Sequence, residues 1–270
     1  AGRSRGDLVS RRRSPPAFES EKARGDLAEA IATLERAVVL DPQCAASWAA
    51  LGDARNAADS RVEAVDAYRR AIDIAPDLAM AHNNLGVALR ALRQFEPAIE
   101  AFQCAIALHG EYVDAWLNLV NTIENLDDHA VAMSALNQAV ESAPDALDLR
   151  VRIAYQLFYA ERFEESLAQC EMGLGQSQEN AELLHVRGLS LQRLGRIDAA
   201  IESYRAALAV DGDDKHIHSN LGTALRSSGD IAGATASFER ALKIDPGFAK
   251  ALFNLGVVRQ EVGNFTAAIT

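Results

Sequence analysis

Residues 79–112 read AMAHNNLGVALRALRQFEPAIEAFQCAIALHGEY, two amphipathic helical patterns joined at Arg93 and Gln94. Leu85 and Leu89 share one face of the first pattern, and Ala98, Phe102 and Ala105 share one face of the second. Pro97 falls in the first turn of the second helix, where its missing N–H is harmless. Gly86 and Ala98 let the two helices approach closely, and Phe102 is expected to fill the gap against the next unit's first helix.

Outward from this stretch, the pattern returns every 34 residues. One small-residue series is Ala30, Ala64, Ala98, Ala132, Ser166, Ala200, Ala234 and Ala268. Another is Gly52, Gly86, Val120, Ala154, Gly188, Gly222 and Gly256. Between units stand DPQ at 41–43, APD at 75–77 and 143–145, and DPG at 245–247. Proline there stops one helix, and the aspartate is expected to accept from the N–H groups opening the next. A single pair of this kind leaves its apolar faces uncovered, so successive pairs must stack.

The period and its marker residues resemble the tetratricopeptide repeat family over about residues 25–270. Trp48, Leu51, Gly52, Ala64, Tyr68, Ala71 and Pro76 mark one unit, and Leu85, Gly86, Ala98, Phe102 and Ala105 the next. The resemblance implies an all-α fold, a right-handed α-solenoid (superhelix) of stacked helix-turn-helix units. It divides the chain into a disordered basic tail at 1–16, a degenerate half repeat at 17–44, six complete units and a truncated unit at 249–270. The complete units are 45–78, 79–112, 113–146, 147–180, 181–214 and 215–248. Pro15 and Pro16 are expected to prevent a full first helix, and the last unit to stop inside its second. The missing initiator Met and the uncapped end imply a chain cut from something longer.

Unit 147–180 departs most from the family, with Arg150, Ser166, Cys170, Gly173 and Gln178 at marker positions. Local melting is expected there. Arg187, where leucine is usual, either reaches solvent or meets a carboxylate.

Charge narrows the function. The net charge is -11; residues 1–24 sum to +4 and the rest to -15. An acidic body is a poor surface for nucleic acid. No apolar run spans a membrane, and the three widely spaced cysteines fit a reducing, cytoplasmic setting. The histidines lack metal-ligand spacing, and no phosphate loop or nucleophile elbow is present. The expectation is a chain that is not an enzyme and takes neither cofactor nor metal. His82 and His218 share the slot of Trp48 and Trp116 and read as packing residues. RGD occurs twice, and the copy at 24–26 reads as a turn into a repeat helix.

In this fold the first helix of each unit lines the inner wall. Helical projection places Asp53, Asn56, Asn84, Val87, Arg90, Leu117, Asn118, Asn121, Arg152, Tyr155, Phe158, Tyr159, His185, Leu189, Arg193, Asn220, Arg226 and Asn254 inward. Asn84, Asn118, Asn220 and Asn254 share one slot; these amides either grip the backbone of an extended peptide or bond a neighbouring helix. Tyr155, Phe158 and Tyr159, with Leu117 and Leu189, form an apolar anchor. Arg90, Arg152, Arg193 and Arg226 supplement it by pairing with acidic residues of the partner.

The expected function is a protein-interaction scaffold holding an extended peptide in its concave groove, with self-association through the uncapped C-terminal repeat. The asparagine row and the segments AHNNLG and HSNLG are also similar to the repeat arm of O-linked N-acetylglucosamine transferases. On that reading the chain recruits substrate for a catalytic domain beyond residue 270. A chaperone-type carboxylate clamp fits less well, because its lysines are missing.

Overall fold

A computed structural model describes the backbone of residues 16–269 and the side chains of 26–263. The described residues form fourteen α-helices and no strands. They group into two compact units, divided between Asp128 and His129.

The first unit holds α1 (Pro16–Leu40), α2 (Ala45–Ala57), α3 (Arg61–Ile74), α4 (Ala79–Ala91), α5 (Phe95–Leu108) and α6 (Val113–Glu124). The second holds α7 (His129–Ser142), α8 (Leu147–Tyr159), α9 (Phe163–Gln176), α10 (Ala181–Arg193) and α11 (Ile197–Val210). It continues with α12 (Lys215–Ser228), α13 (Ile231–Ile244) and α14 (Ala249–Ile269).

Each compact unit repeats one contact scheme. In the second, α8 touches α10, α10 touches α12 and α12 touches α14. The intervening α9, α11 and α13 each touch the helix before and the helix after, but not one another. Helices that approach on one side and stand apart on the other curl the stack toward the approaching side. The wall formed by α8, α10, α12 and α14 is therefore the inner one. In the first unit α2, α4 and α6 play this part.

The core follows from glycine opposite an aromatic ring. A Cβ on Gly52, Gly86, Gly188 or Gly222 would stand 2.5, 2.6, 2.5 and 2.7 Å from the rings of Tyr68, Phe102, Tyr204 and Phe238. All four rings are buried. Each ring lies over the first helix of its own unit. The second helix leans over the first because glycine removes the only obstacle.

A second rule appears at the slot six residues after the inter-unit turn, wherever that slot holds a side chain with a polar nitrogen. Trp48 and Trp116 donate Nε1–H to the carbonyls of Pro42 and Gly110, at 3.1 and 2.8 Å. His82 and His218 meet those of Pro76 and Gly212 at 2.9 and 3.0 Å. A carbonyl only accepts, so both histidines hold their proton on Nε2. Arg150 does the same work, donating from Nη2 to Pro144 O at 2.9 Å. These side chains brace the turn that precedes their helix, beyond simple packing.

The small residues at the irregular unit's marker positions are accommodated as well. Ser166 donates to Ala154 O at 2.7 Å and receives Ser190 Oγ at 2.9 Å. Gly173 admits Leu183, whose Cδ1 lies 2.5 Å from where a Cβ would be. Arg187 donates to Ser203 Oγ at 3.0 Å, so it meets a hydroxyl and neither solvent alone nor a carboxylate.

Several turn expectations are corrected. Asp41 and Asp245 accept from the N–H two residues on, at Gln43 and Gly247, and brace the turn; they stand too far ahead to reach the next helix. Among the described residues, side chains that cap helices include Asn180, Asp214 and Asp230. The intra-unit turn is made by a left-handed residue, non-glycine at Asp59, Arg93, Asp127 and Glu161 and glycine at Gly195 and Gly229. Gly25 and Gly263 occupy the same slot, yet α1 and α14 run through them as single helices. Pro16 opens α1, as proline in a first turn can. The RGD at 24–26 accordingly sits inside a helix and not at a turn. The tail at 1–15 lies outside the described residues.

Candidate functional site

The largest aromatic feature of the inner wall begins on α8. Tyr155, Phe158 and Tyr159 stand three and four residues apart and so share one face. Tyr155 and Tyr159 stack with ring centroids 6.3 Å apart and planes 18° apart. Phe158 meets Tyr159 edge-on at 5.6 Å and is backed by Phe163 of α9, also at 5.6 Å. Tyr159, at the end of the helix, remains 73% exposed.

This ledge borders a cavity of about 640 Å³ within the second unit. Arg152, Tyr155, Phe158 and Tyr159 line one side, Leu189 and His185 of α10 the middle, and Asn220, His216 and Lys250 the other. Asp214 and Gln156 complete the lining.

The polar side of the cavity is one connected chain. Lys250 Nζ donates to Asn220 Oδ1 at 2.8 Å. Asn220 Nδ2 lies 2.9 Å from His185 Nε2, and His185 Nδ1 lies 3.3 Å from Tyr155 Oη. Burial pushes the His185 pKa down to about 4 and that of Tyr155 up to about 12. The same cause lowers Lys250. Asp214 spends its carboxylate on the start of α12, accepting from the N–H of His216 at 2.6 Å and of Ile217 at 3.1 Å. Lys215 pairs with Asp245 at 2.6 Å, and that bond leads the causes that hold Asp245 below its usual carboxylate range.

Seven residues expected from sequence therefore meet at one cavity: Arg152, Tyr155, Phe158, Tyr159, His185, Leu189 and Asn220. Arg193 instead pairs with Glu161 at 3.6 Å and covers the Phe163 ring at 4.7 Å, and Arg226 pairs with Glu261 at 3.4 Å. Neither arginine lines the cavity, and both already have acidic partners. Asn254 is half-buried on α14, away from this lining.

In the first unit, Asn84 Nδ2 donates to Asp53 Oδ1 at 2.9 Å, where Tyr68 Oη also donates at 2.7 Å. Asn118 donates to Asn83 at 3.0 Å, and Asn83 to Asn84 at 3.1 Å. Asn84 borders a smaller hollow of about 210 Å³ with Asp53, Asn56, Tyr68 and Val87. Arg90 lies 6.0 Å from the Phe102 ring centroid, and its pKa is lowered by burial. Leu117 and Asn121 are half-buried on α6. Of the two roles open to the asparagine row, bonding to a neighbouring helix is thus occupied at Asn84, Asn118 and Asn220.

Gln156, Asp214, His216 and Lys250 are cavity residues that the periodic reading did not select. Their signal is an offset: contacts between neighbouring first helices join residues 30, 31 or 35 apart, as in Asn220–Lys250, Asp53–Asn84 and His185–Asn220, not 34.

No group of His, Cys, Asp and Glu that could hold a metal occurs among the described residues. No helix there is long and apolar enough to cross a membrane.

Tetratricopeptide-repeat family models match residues 17–79 and 185–247, 79–112, 113–146 and 237–270. The chain belongs to the tetratricopeptide repeat family, whose helical pairs and inner wall it displays. No curated protein matches it by sequence. Among solved structures, YrrB, described as a repeat protein of this class with an unusual peptide-binding site, is similar with a TM-score of 0.56 and 18% identity. The match covers 70% of this chain and 97% of YrrB. The C-terminal part of a repeat protein from Cytophaga hutchinsonii gives 0.67 at 13% identity, covering 87% and 96%. The Cut9–Hcn1 complex gives 0.62 at 17%, covering 87% of this chain and 46% of that one. At these identities the likeness is one of fold.

Proposed function

We propose that the chain is a protein-interaction scaffold that holds an extended segment of a partner along its inner wall, anchored on the ledge of Tyr155, Phe158 and Tyr159. The observation behind this reading is the open stack itself: a ring 73% exposed at the mouth of a cavity of about 640 Å³. Large aromatic groups left in water beside a concavity are the usual anchors of protein interfaces. YrrB, of the same fold, has a peptide-binding site by its own description.

A segment bound in this way is expected near micromolar strength, roughly -8 kcal/mol. The test is selection of binding peptides from a random display library on the whole chain, followed by titration of the best peptide. Tyr159→Ala and the pair Tyr155→Ala, Phe158→Ala should each weaken it at least about tenfold. Equal affinity for all three proteins removes the anchor.

A further inference from the structure

The direction of the hydrogen bonds around the cavity is fixed from one end. Lys250 Nζ has donors to give and stands 2.8 Å from Asn220, so the amide must turn its oxygen to the lysine. Its NH2 group then faces His185 Nε2 at 2.9 Å, and that nitrogen must supply a lone pair. The ring proton is left on Nδ1, where it points at Tyr155 Oη, 3.3 Å away. Tyr155 receives this bond and keeps its own O–H to give. His82 and His218 hold the opposite tautomer, because carbonyls face their Nε2 atoms.

We infer that this cavity meets its ligand as a hydrogen-bond donor through the Tyr155 hydroxyl, with a carbonyl or carboxylate oxygen of the ligand as the acceptor, and that Lys250 sets this polarity through Asn220 and His185. The inference rests on the groove reading above and names the chemistry the anchor selects. An apolar side chain on the ledge must bring an oxygen acceptor beside it, as a peptide backbone carbonyl does. Both titrating members stay in the required form at neutral pH: His185, near 4, is uncharged, and Tyr155, near 12, is protonated.

The relay is read directly from the imidazole nitrogens of the 15N-labelled whole chain at pH 7, with His185→Gln to assign the signal. His185 should carry its proton on Nδ1 and His82 on Nε2. In Asn220→Asp the carboxylate accepts from both Lys250 and His185; the proton moves to Nε2, and Nδ1 captures the Tyr155 O–H. A His185 proton on Nε2 in the unaltered chain overturns the inference.

The ligand half is read with acetophenone, a ring with one carbonyl, followed by its shifts of Tyr155 and Leu189 resonances. Binding should weaken about fivefold in Asn220→Asp and in Tyr155→Phe, the worth of one hydrogen bond. Ethylbenzene, without the acceptor, should bind all three alike. Equal acetophenone binding by all three proteins overturns the donor role. If neither acetophenone nor any selected peptide perturbs the cavity while the His185 tautomer is as stated, the groove reading fails and the donor role with it, and the relay alone stands.

Discussion

Phe102 lies flat on Gly86: a Cβ on that glycine would stand 2.6 Å from the ring's Cε1 and 2.8 Å from its Cδ1 and Cζ. The ring is fully buried and belongs to the second helix of the same pair. The space a methyl group would need is already filled.

Gly86→Ala should therefore destabilise the chain, although alanine favours an exposed helix by about 1 kcal/mol over glycine. Overpacking against a ring with no room to retreat costs about 1 to 3 kcal/mol. Urea unfolding followed by circular dichroism measures it. Adding Phe102→Leu should recover part of the loss, since leucine leaves room for the methyl. A stabilised Gly86→Ala protein would show that the ring moves aside freely.

The intra-unit turns give the second prediction. Arg93 holds φ 60° and Gly195 φ 75° at equivalent places. A side chain in the left-handed region is strained by roughly 1 kcal/mol, whichever residue supplies it. Gly195→Ala should lower stability by about 1 kcal/mol, and Arg93→Gly should leave it level or raise it by about 0.5 kcal/mol. Thermal melts of the two variants decide; a loss in Arg93→Gly would mean that the Arg93 side chain contributes more than its backbone strain costs.

The repeat was legible because it rests on volume: small residues at a fixed step have no other common cause, and helix boundaries follow from them. The aromatic ledge was legible for the same reason, since 155, 158 and 159 share a face at any helical pitch. What sequence could not show was direction. That the Phe102 ring seats on Gly86 depends on how far one helix slides along another, which period alone leaves open. The asparagine row likewise leaves both its roles open until Asp53, Asn83 and His185 are seen opposite it. Arg150 looked like a defect; its long side chain reaches the same carbonyl that tryptophan reaches elsewhere.

Cysteine chemistry tests whether the irregular unit opens. Cys170 is buried in a cluster with Val151, Ala154, Leu183 and Val186, and burial pushes its thiol up to about 12. Cys104 is exposed on α5, and Cys44 is half-exposed with its thiol lowered by the Ser47 hydroxyl. An aromatic disulfide reagent at pH 8 should label Cys104 and Cys44 promptly. Cys170 should react at least about a hundredfold more slowly, at a rate set by local opening of α8, α9 and α10. Reaction of all three at similar rates would mean that this unit is open in the native state.

Acid sensitivity should centre on His185. Its neighbours are Arg152 and Tyr155 from α8, Tyr204 from α11, Asp214 at the cap of α12, His216 from α12 and Lys250 from α14. Burial lowers its pKa first; Asp214 opposes this, while His216 and Lys250 add to it. The native ring thus binds a proton only near pH 4, whereas the unfolded chain binds one near 6.5. Below 6.5 the unfolded state gains a proton that the native state refuses, so stability falls as pH drops from about 6.5 to about 4 and this loss is complete below that. The loss should approach about 3 kcal/mol, the order expected for a shift of this size. The Asp245–Lys215 pair acts in another window: its carboxyl is lowered in the native state, so its contribution is present above about pH 4 and fades only below it. Urea midpoints at pH 7.5, 5.5 and 4.5 separate the two. His185→Gln keeps an acceptor for Asn220 without a titrating ring, so its stability should be nearly level across this window while the unaltered chain declines. If the two decline in parallel, the proton is taken up elsewhere.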